Sequence, residues 1–339
     1  MPDSPLRIES TRGTVVESVH RVAVAVTDPS GRLIAAAGDP DSVTWWRSAA
    51  KPFQALPLLL DGAAERFALS DEELALACAS HSSEPRHLEV VSRLMERLGL
   101  NDKDLSCGVH PPLSPVVAQA VVRGSASPTP RWSNCSGKHA GMLALAKHHG
   151  WPLEGYHASG HPVQERILAE VSRWTGIAQT AITQSIDGCT AVCFGLPLRA
   201  MALAYARLGA SQELAPRRIL AAMSTNPFLV AGTGRLCTDL MTAMPGRIVT
   251  KVGAEGIYSA TLPELGLGIT LKVEDGETRA SGLALLEVLR QLYEQYPASP
   301  PPNLTAPEVL RHGRQPIRNT RGTVTGELRA EGRLHFFAA

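Results

Sequence analysis

Ser48-Ala49-Ala50-Lys51 is the first stretch of this sequence whose residue types and spacing suit a reaction. At the start of a helix, residues three apart share one face, so a hydroxyl and an amine come within hydrogen-bond reach. A serine hydroxyl is a poor nucleophile until a base takes its proton. Lysine serves as that base when desolvation or its neighbours keep it neutral. Trp45 and Trp46 ahead of the serine, with Pro52 and Phe53 behind the lysine, supply apolar surroundings. By spacing alone the pair also fits a helix cap followed by a solvated lysine. A second polar group, Ala79-Ser80-His81-Ser82-Ser83-Glu84, follows the apolar run at 74–78. There Ser80 offers another hydroxyl for moving a proton, and Ser83 is placed to cap the next helix.

Cys135, Lys138 and His139 fall at the start of a helix expected to reach Lys147 and stop at Gly150. Free N–H groups at a helix start favour an anion and lower a thiol pKa. Ser136-Gly137-Lys138 resembles the tail of a phosphate loop, but Trp132 stands where the loop's first glycine belongs, which excludes that mode of ATP binding. Asp187-Gly188-Cys189 marks a tight turn at a strand end, bringing a carboxylate and a thiolate toward a cleft. Cys135 and Cys189 are too far apart for a local zinc knuckle. Combined with His139 or Lys138 they would give the sulfur and nitrogen donors that suit zinc; two unrelated buried cysteines fit the spacing as well. Gly232-Thr233-Gly234-Arg235 and Gly253-Ala254-Glu255-Gly256 are permissive loops with one charge each, and neither meets the dinucleotide fingerprint. Lys272 ends an apolar strand, either solvated or as a fixed positive charge facing a cleft.

These side chains need a scaffold, and the composition supplies one. With 339 residues, 44% hydrophobic and 19% charged, the chain builds a sizeable core and is not disordered, collagenous or coiled coil. Its 33 basic against 32 acidic residues leave a formal charge of +1, which gives no footprint for nucleic acid or acidic lipid. Residues 14–17, 22–26 and 33–37 read as strands, with a turn at 28–31. Arg321-Gly322-Thr323-Val324 echoes Arg12-Gly13-Thr14-Val15, and 334–337 reads as a last strand, so one sheet is expected to draw on both ends of the chain. Between them lie helices: one opened by a Ser70/Glu73 capping box, then 85–98, 163–174 between Pro162 and Gly176, and 197–208 closed by Gly209. Strands at 248–251 and 267–272, a helix at 279–296 and a proline-rich connector at 297–302 follow. The expected class is α+β, helices packed on a mainly antiparallel sheet in a single domain over 1–339, with sheet at about 1–40 and 245–339 and helices at about 48–225. Six cysteines are too sparse for a disulfide framework, residues 1–5 lack a signal-peptide pattern, and no apolar run approaches ~18 residues. A cytoplasmic protein with reduced thiols and no membrane partner is expected.

Taken together, the pieces resemble the asparaginase II family, the rhizobial-type (class 3) L-asparaginases. The matching elements are Arg12-Gly13, Glu17-Ser18-Val19-His20, Arg47-Ser48-Ala49-Ala50-Lys51-Pro52-Phe53-Gln54, Ala79-Ser80-His81-Ser82 and Asn134-Cys135-Ser136-Gly137-Lys138-His139. Asp187-Gly188-Cys189, the two glycine loops and Gly268-Ile269-Thr270-Leu271-Lys272 complete the set in order. The resemblance implies hydrolysis of L-asparagine to L-aspartate and ammonia on a fold like that of serine β-lactamases and penicillin-binding proteins. It implies Ser48 as nucleophile, Lys51 as its base, Ser80 as proton relay and a distal lysine, placed at Lys272, with Lys251 ending a strand nearby. It further implies a supporting zinc site at Cys135, Lys138 and Cys189, substrate contacts at Arg47, His139 and Asp187, and a homodimer. Rival readings are another Ser–Lys acyl hydrolase, an esterase or β-lactamase-like enzyme, and a zinc- or thiol-based regulatory module.

Overall fold

The computed structural model describes residues 4–298 and 302–338. The first three residues of the amino-terminal stretch, and Ser299, Pro300 and Pro301 of the proline-rich connector, lie outside the described residues. Among the described residues the strands are β1 (Leu6–Arg12), β2 (Val15–Thr27), β3 (Leu33–Ala37), β4 (Val43–Trp45), β5 (Thr183–Ile186), β6 (Val192–Pro197), β7 (Val249–Val252), β8 (Ile257–Leu262), β9 (Leu267–Val273), β10 (Gln315–Arg318), β11 (Val324–Glu331) and β12 (His335–Phe336). The chain forms two compact units, one from residues 1–49, 196–210 and 239–339, the other from 50–195 and 211–238.

The first unit is a nine-stranded sheet in the order β10-β11-β1-β2-β9-β8-β7, with β3 beside β2 and β12 beside β3. Neighbours run antiparallel, and β1 pairs with β11, so the two ends of the chain share a sheet as expected. The part of β2 that pairs with β9 is buried without alternation from Val22 to Thr27, the pattern of a strand covered on both faces. Helices Leu198–Ala210 and Thr278–Gln295 pack on this sheet. Gly268 of β9 lets the first come close, since a Cβ there would sit 2.1 Å from the Ala202 carbonyl oxygen. That helix does not stop at Gly209 but runs one residue past it. Gly209 serves packing instead: a Cβ would meet Thr261 Oγ1 of β8 at 2.0 Å.

The second unit is helical. Its Lys51–Leu60 helix packs against Ser136–His149, Pro162–Thr175 and Leu214–Thr225. Punctuation read from sequence is in place: the Ser70/Glu73 capping box opens Asp71–Ala77, and Gly176 closes Pro162–Thr175 at φ 74°. Ser83 is an exception. Glu84 is the N-cap of Pro85–Arg97, while Ser83 takes a left-handed φ of 61° and donates its hydroxyl to the Trp132 carbonyl at 2.5 Å. Strands β5 and β6 form a hairpin in this unit. No described helix is long and apolar enough to cross a membrane.

Candidate active site

Ser48 stands in a 3₁₀ turn, Arg47–Ala50, that runs directly into the Lys51–Leu60 helix. Ser48 and Lys51 are three residues apart in sequence, the spacing of one 3₁₀ turn. Pro52 sits in the helix's first turn, where a missing N–H costs nothing. Arg47 has φ 51°, a left-handed conformation unfavourable for an arginine and held by what surrounds it. In the first unit, Trp46 is fully buried and donates from Nε1 to Ser259 Oγ at 3.2 Å. The ring of Tyr205 meets it edge-on at 6.2 Å, and the Tyr205 hydroxyl donates to the Ala49 carbonyl at 2.8 Å. The backbone on either side of Ser48 is therefore fixed.

Two lysines of the sheet compete for the distal position. Lys251, on the edge strand β7, is fully buried and lies opposite Ser259, the residue that holds Trp46. Gly253, just past β7, runs against the Ser48 turn, where its Cβ would be 3.2 Å from the Trp46 carbonyl and 3.3 Å from Arg47 Cβ. Lys272, on β9, lies between Ala23 and Ile257 and is half-buried. Its Nζ donates to the carbonyls of Val273 and Glu274. Burial lowers its pKa, against the pull of Glu255, Asp275 and Glu274. Lys251 shares the surroundings of the Ser48 turn, and Lys272 those of an acidic turn.

In the second unit, the fully buried Lys51 donates from Nζ to the Ala79 carbonyl and, at 3.0 Å, to Ser80 Oγ. Backbone bonds from Ser80 to Val230 and from His81 to Asn134 hold this polar strand of chain between other segments. His81 receives the Ser83 N–H at Nδ1 and meets Ser136 Oγ at 2.8 Å through Nε2. The Ser136 hydroxyl is spent on the Arg131 carbonyl, so His81 carries its proton on Nε2. Burial, reinforced by His87, Lys51, His110 and Arg235, holds its pKa well below the usual histidine value.

Cys135, Lys138, His139, Asp187 and Cys189 also come together in this unit. Lys138 Nζ lies 2.9 Å from Cys189 Sγ, and Asp187 Oδ2 is 4.0 Å from the same sulfur. A hydrogen bond from the Cys135 thiol brings Cys189 down to about 4 against burial, with Lys138 adding to the effect. That bond, together with burial, pushes Cys135 up to about 12. Burial disfavours a charged Lys138, but Cys189, Cys135 and Asp187 outweigh it and raise its pKa. The result is a buried thiolate–ammonium pair with one neutral thiol. Among the described residues no three His, Cys, Asp or Glu side chains gather as a metal group, so a metal here would need the Lys138 amine as a donor. Two sulfurs and a nitrogen are a donor set suited to zinc.

His139 is fully buried, and its Nδ1 lies 2.6 Å from the Tyr156 hydroxyl. That hydroxyl accepts the Ser106 N–H at 2.9 Å and donates its one hydrogen to Nδ1. The His139 proton therefore sits on Nε2, a buried donor without a partner among the described residues. Burial first, and Lys138 next, keep the ring neutral. Tyr156 has no sequence signal of its own; it lies in an irregular segment and acts only through tertiary contact. Gly137 is needed by close backbone packing, since a Cβ there would sit 2.2 Å from the Leu76 carbonyl oxygen.

The L-asparaginase II family profile matches residues 8–330. The chain belongs to the L-asparaginase II family. No curated protein sequence matches it. Solved structures that resemble it are distant in sequence. Mglu in its native form in 4.3 M NaCl is 18% identical, with 82% of this chain covered and a TM-score of 0.36. A β-lactamase candidate from Bacteroides dorei DSM 17855 is 13% identical, covering 80% of this chain and 93% of that one at a TM-score of 0.41. Simvastatin synthase (LovD, LovD6 mutant) from Aspergillus terreus is 13% identical, covering 74% and 86% at 0.33. The chain spans 61% of the length of Mglu.

Proposed function

We propose that this family member hydrolyses L-asparagine to L-aspartate and ammonia through a Ser48 acyl-enzyme. The observation that carries the reading is the buried Lys51 amine, three residues after Ser48 and 3.0 Å from Ser80 Oγ, in a chain of this family. Lys51 Nζ bonds the Ala79 carbonyl and Ser80 Oγ, which holds the amine beside the relay hydroxyl. Ser48 Oγ attacks the side-chain amide carbon as Lys51 takes that proton. The proton passes through Ser80 to the leaving nitrogen, ammonia departs, and water cleaves the ester. Lys251, with Gly253 beside the Ser48 turn, is the distal lysine of this scheme, in preference to Lys272. Arg47, His139 and Asp187 contact substrate; the orphaned His139 Nε2–H supports a hydrogen bond to it. Cys135, Lys138 and Cys189 would hold a zinc ion, which would supply fixed positive charge and tie the 136–149 helix to the β5–β6 turn.

Ammonia release from L-asparagine by wild type, Ser48→Ala and Lys51→Ala tests the scheme, with mass spectrometry for an aspartyl adduct on Ser48. Wild type releases ammonia and both variants lose it. Near-wild-type activity in Ser48→Ala removes the serine mechanism. Turnover of esters or nitrocefin without ammonia release from asparagine would favour the rival acyl hydrolase.

A further inference from the structure

Arg235 ends a glycine loop, 232–235, to which the reaction scheme assigns no task. Its Nη1 donates to Ser82 Oγ at 3.1 Å and lies 3.5 Å from the Ser80 carbonyl, one residue's span from the hydroxyl that meets Lys51. We propose that Arg235 binds the α-carboxylate of the amino-acid substrate, an inference that rests on the asparagine-hydrolase reading.

Three features point to an anion. First, Arg235 makes no ion pair among the described residues, unlike Arg12, Arg166, Arg247 and Arg311, which meet Glu17, Asp61, Glu264 and Asp239. The carboxylate that the loop does engage, Glu84, is occupied by the Thr233 N–H at 2.8 Å and the Thr233 hydroxyl at 2.7 Å. Glu84 anchors the loop and leaves the guanidinium uncompensated.

Second, Arg235 stands beside two buried imidazoles, His81 and His87. Burial first holds both below the usual histidine value, and Arg235 adds to that effect on each, at His87 against the pull of the Phe228 carbonyl and Glu84. A half-buried guanidinium among such groups is stabilised by a negative ligand, and carboxylate fits its planar fork. Its bonds among the described residues use Nη1, which leaves the Nε–Nη2 edge to donate bidentately to a carboxylate.

Third, the loop is built to hold the guanidinium still. Gly232 has φ 122°, and a Cβ there would lie 2.5 Å from Glu84 Oε1 and 2.8 Å from Ser82 Oγ. Ser82 Oγ in turn donates to the Ala231 carbonyl at 2.8 Å, so donors and acceptors on this side are settled before substrate arrives. Asparagine carries its carboxylate separated from the amide carbon only by Cα and Cβ, so a charge clamp near Ser80 acts close to the reacting bond.

The test compares L-asparagine with its α-methyl ester, which lacks the carboxylate charge, as substrates for wild type, Arg235→Gln and Arg235→Lys. Ammonia release reports the side-chain amide in both. Loss of a charge-assisted bond predicts that Arg235→Gln raises KM for asparagine roughly 10- to 100-fold. The methyl ester shifts by no more than about twofold, so the preference for the free acid collapses. Arg235→Lys keeps the charge without the fork and falls between. If both substrates lose the same factor, or neither changes, Arg235 only positions the Ser80 segment and the inference fails while the asparaginase reading stands. If wild type releases no ammonia from asparagine, that reading fails and takes this one with it. The ester arm also reports whether each variant is folded.

Discussion

Three buried lysine amines meet different kinds of partner. Lys51 meets a carbonyl and a hydroxyl, Lys138 meets a thiolate, and Lys251 meets the Val252 carbonyl at 2.7 Å. For the distal position the two sheet lysines make opposite predictions. Lys251→Ala should lower kcat on the order of 100-fold or more, since in the proposed scheme it removes the distal positive charge. Lys272→Ala should stay within a few-fold, because Lys272 is occupied by the 273–275 turn. Steady-state ammonia release on the two variants decides it, and the reverse order of effects would return the role to Lys272. This choice shows where sequence stops being legible. Ser48 and Lys51 could be paired on paper because their relation is local, three residues along one turn. Lys251 and Lys272 both end apolar strands, so their local patterns are alike. What separates them is that Gly253 lies against Trp46 and Arg47, a contact some 200 residues apart in sequence. Tyr156 left no mark in the sequence for the same reason, since its hydrogen bond to His139 exists only once the chain folds, and Arg235 was visible only as the one charge of a glycine loop.

Elements, more than single residues, set the thiol chemistry. Cys135 and Lys138 open the Ser136–His149 helix, while Asp187 and Cys189 sit on the turn of the β5–β6 hairpin. At neutral pH Cys189 is already a thiolate, with a pKa of about 4, whereas Cys135, pushed to about 12, and Lys138 still hold their protons. Zinc bound by all three must displace one proton from Cys135 and one from Lys138. Binding therefore weakens as pH falls, by about 100-fold in apparent affinity per pH unit between those limits. Calorimetry in buffers of different ionisation enthalpy should count two protons released per zinc; a count of zero would exclude Lys138 as a ligand. The helix packing on the sheet follows a similar logic. Helix ends marked by a capping box, Pro162 or Gly176 were legible because the signals are local. Gly209 looked like another stop, yet it lies inside a helix because Thr261 needs its space. Helix propensity alone would make Gly209→Ala stabilising by about 1 kcal/mol. The 2.0 Å approach to Thr261 Oγ1 predicts the opposite sign, and Thr261→Ala should recover part of the loss. Thermal unfolding of both single variants and the double variant reads this out, and a stabilised Gly209→Ala would refute the packing argument.

At the scale of the whole molecule, the sheet joins segments that the chain keeps farthest apart. Arg7 pairs with Glu331 and Ser10 with Leu328, so the core of the first unit is incomplete until the last strands exist. A four-residue echo between the ends hinted that they share a sheet, but the order of strands was not readable, since pairing over such separations leaves no local mark. The consequence is kinetic as well as structural. Loop closure over most of the chain precedes any gain from these pairs, so the sheet assembles late and slowly. A chain ending at residue 313 lacks β10, β11 and β12. It leaves β1 as an unpaired edge, and Leu328 and Leu334, both buried, are missing from the core. An exposed edge flanked by Leu6 and Ile8 is a template for association. The shortened chain should therefore accumulate in aggregates, with backbone amides at 22–26 of β2 exchanging rapidly in whatever stays in solution. Hydrogen exchange on the two chains measures this directly. Equal protection at 22–26 would mean that β2, β8 and β9 hold together without the carboxyl-terminal strands, and that the pairing of the two ends completes a sheet it does not initiate.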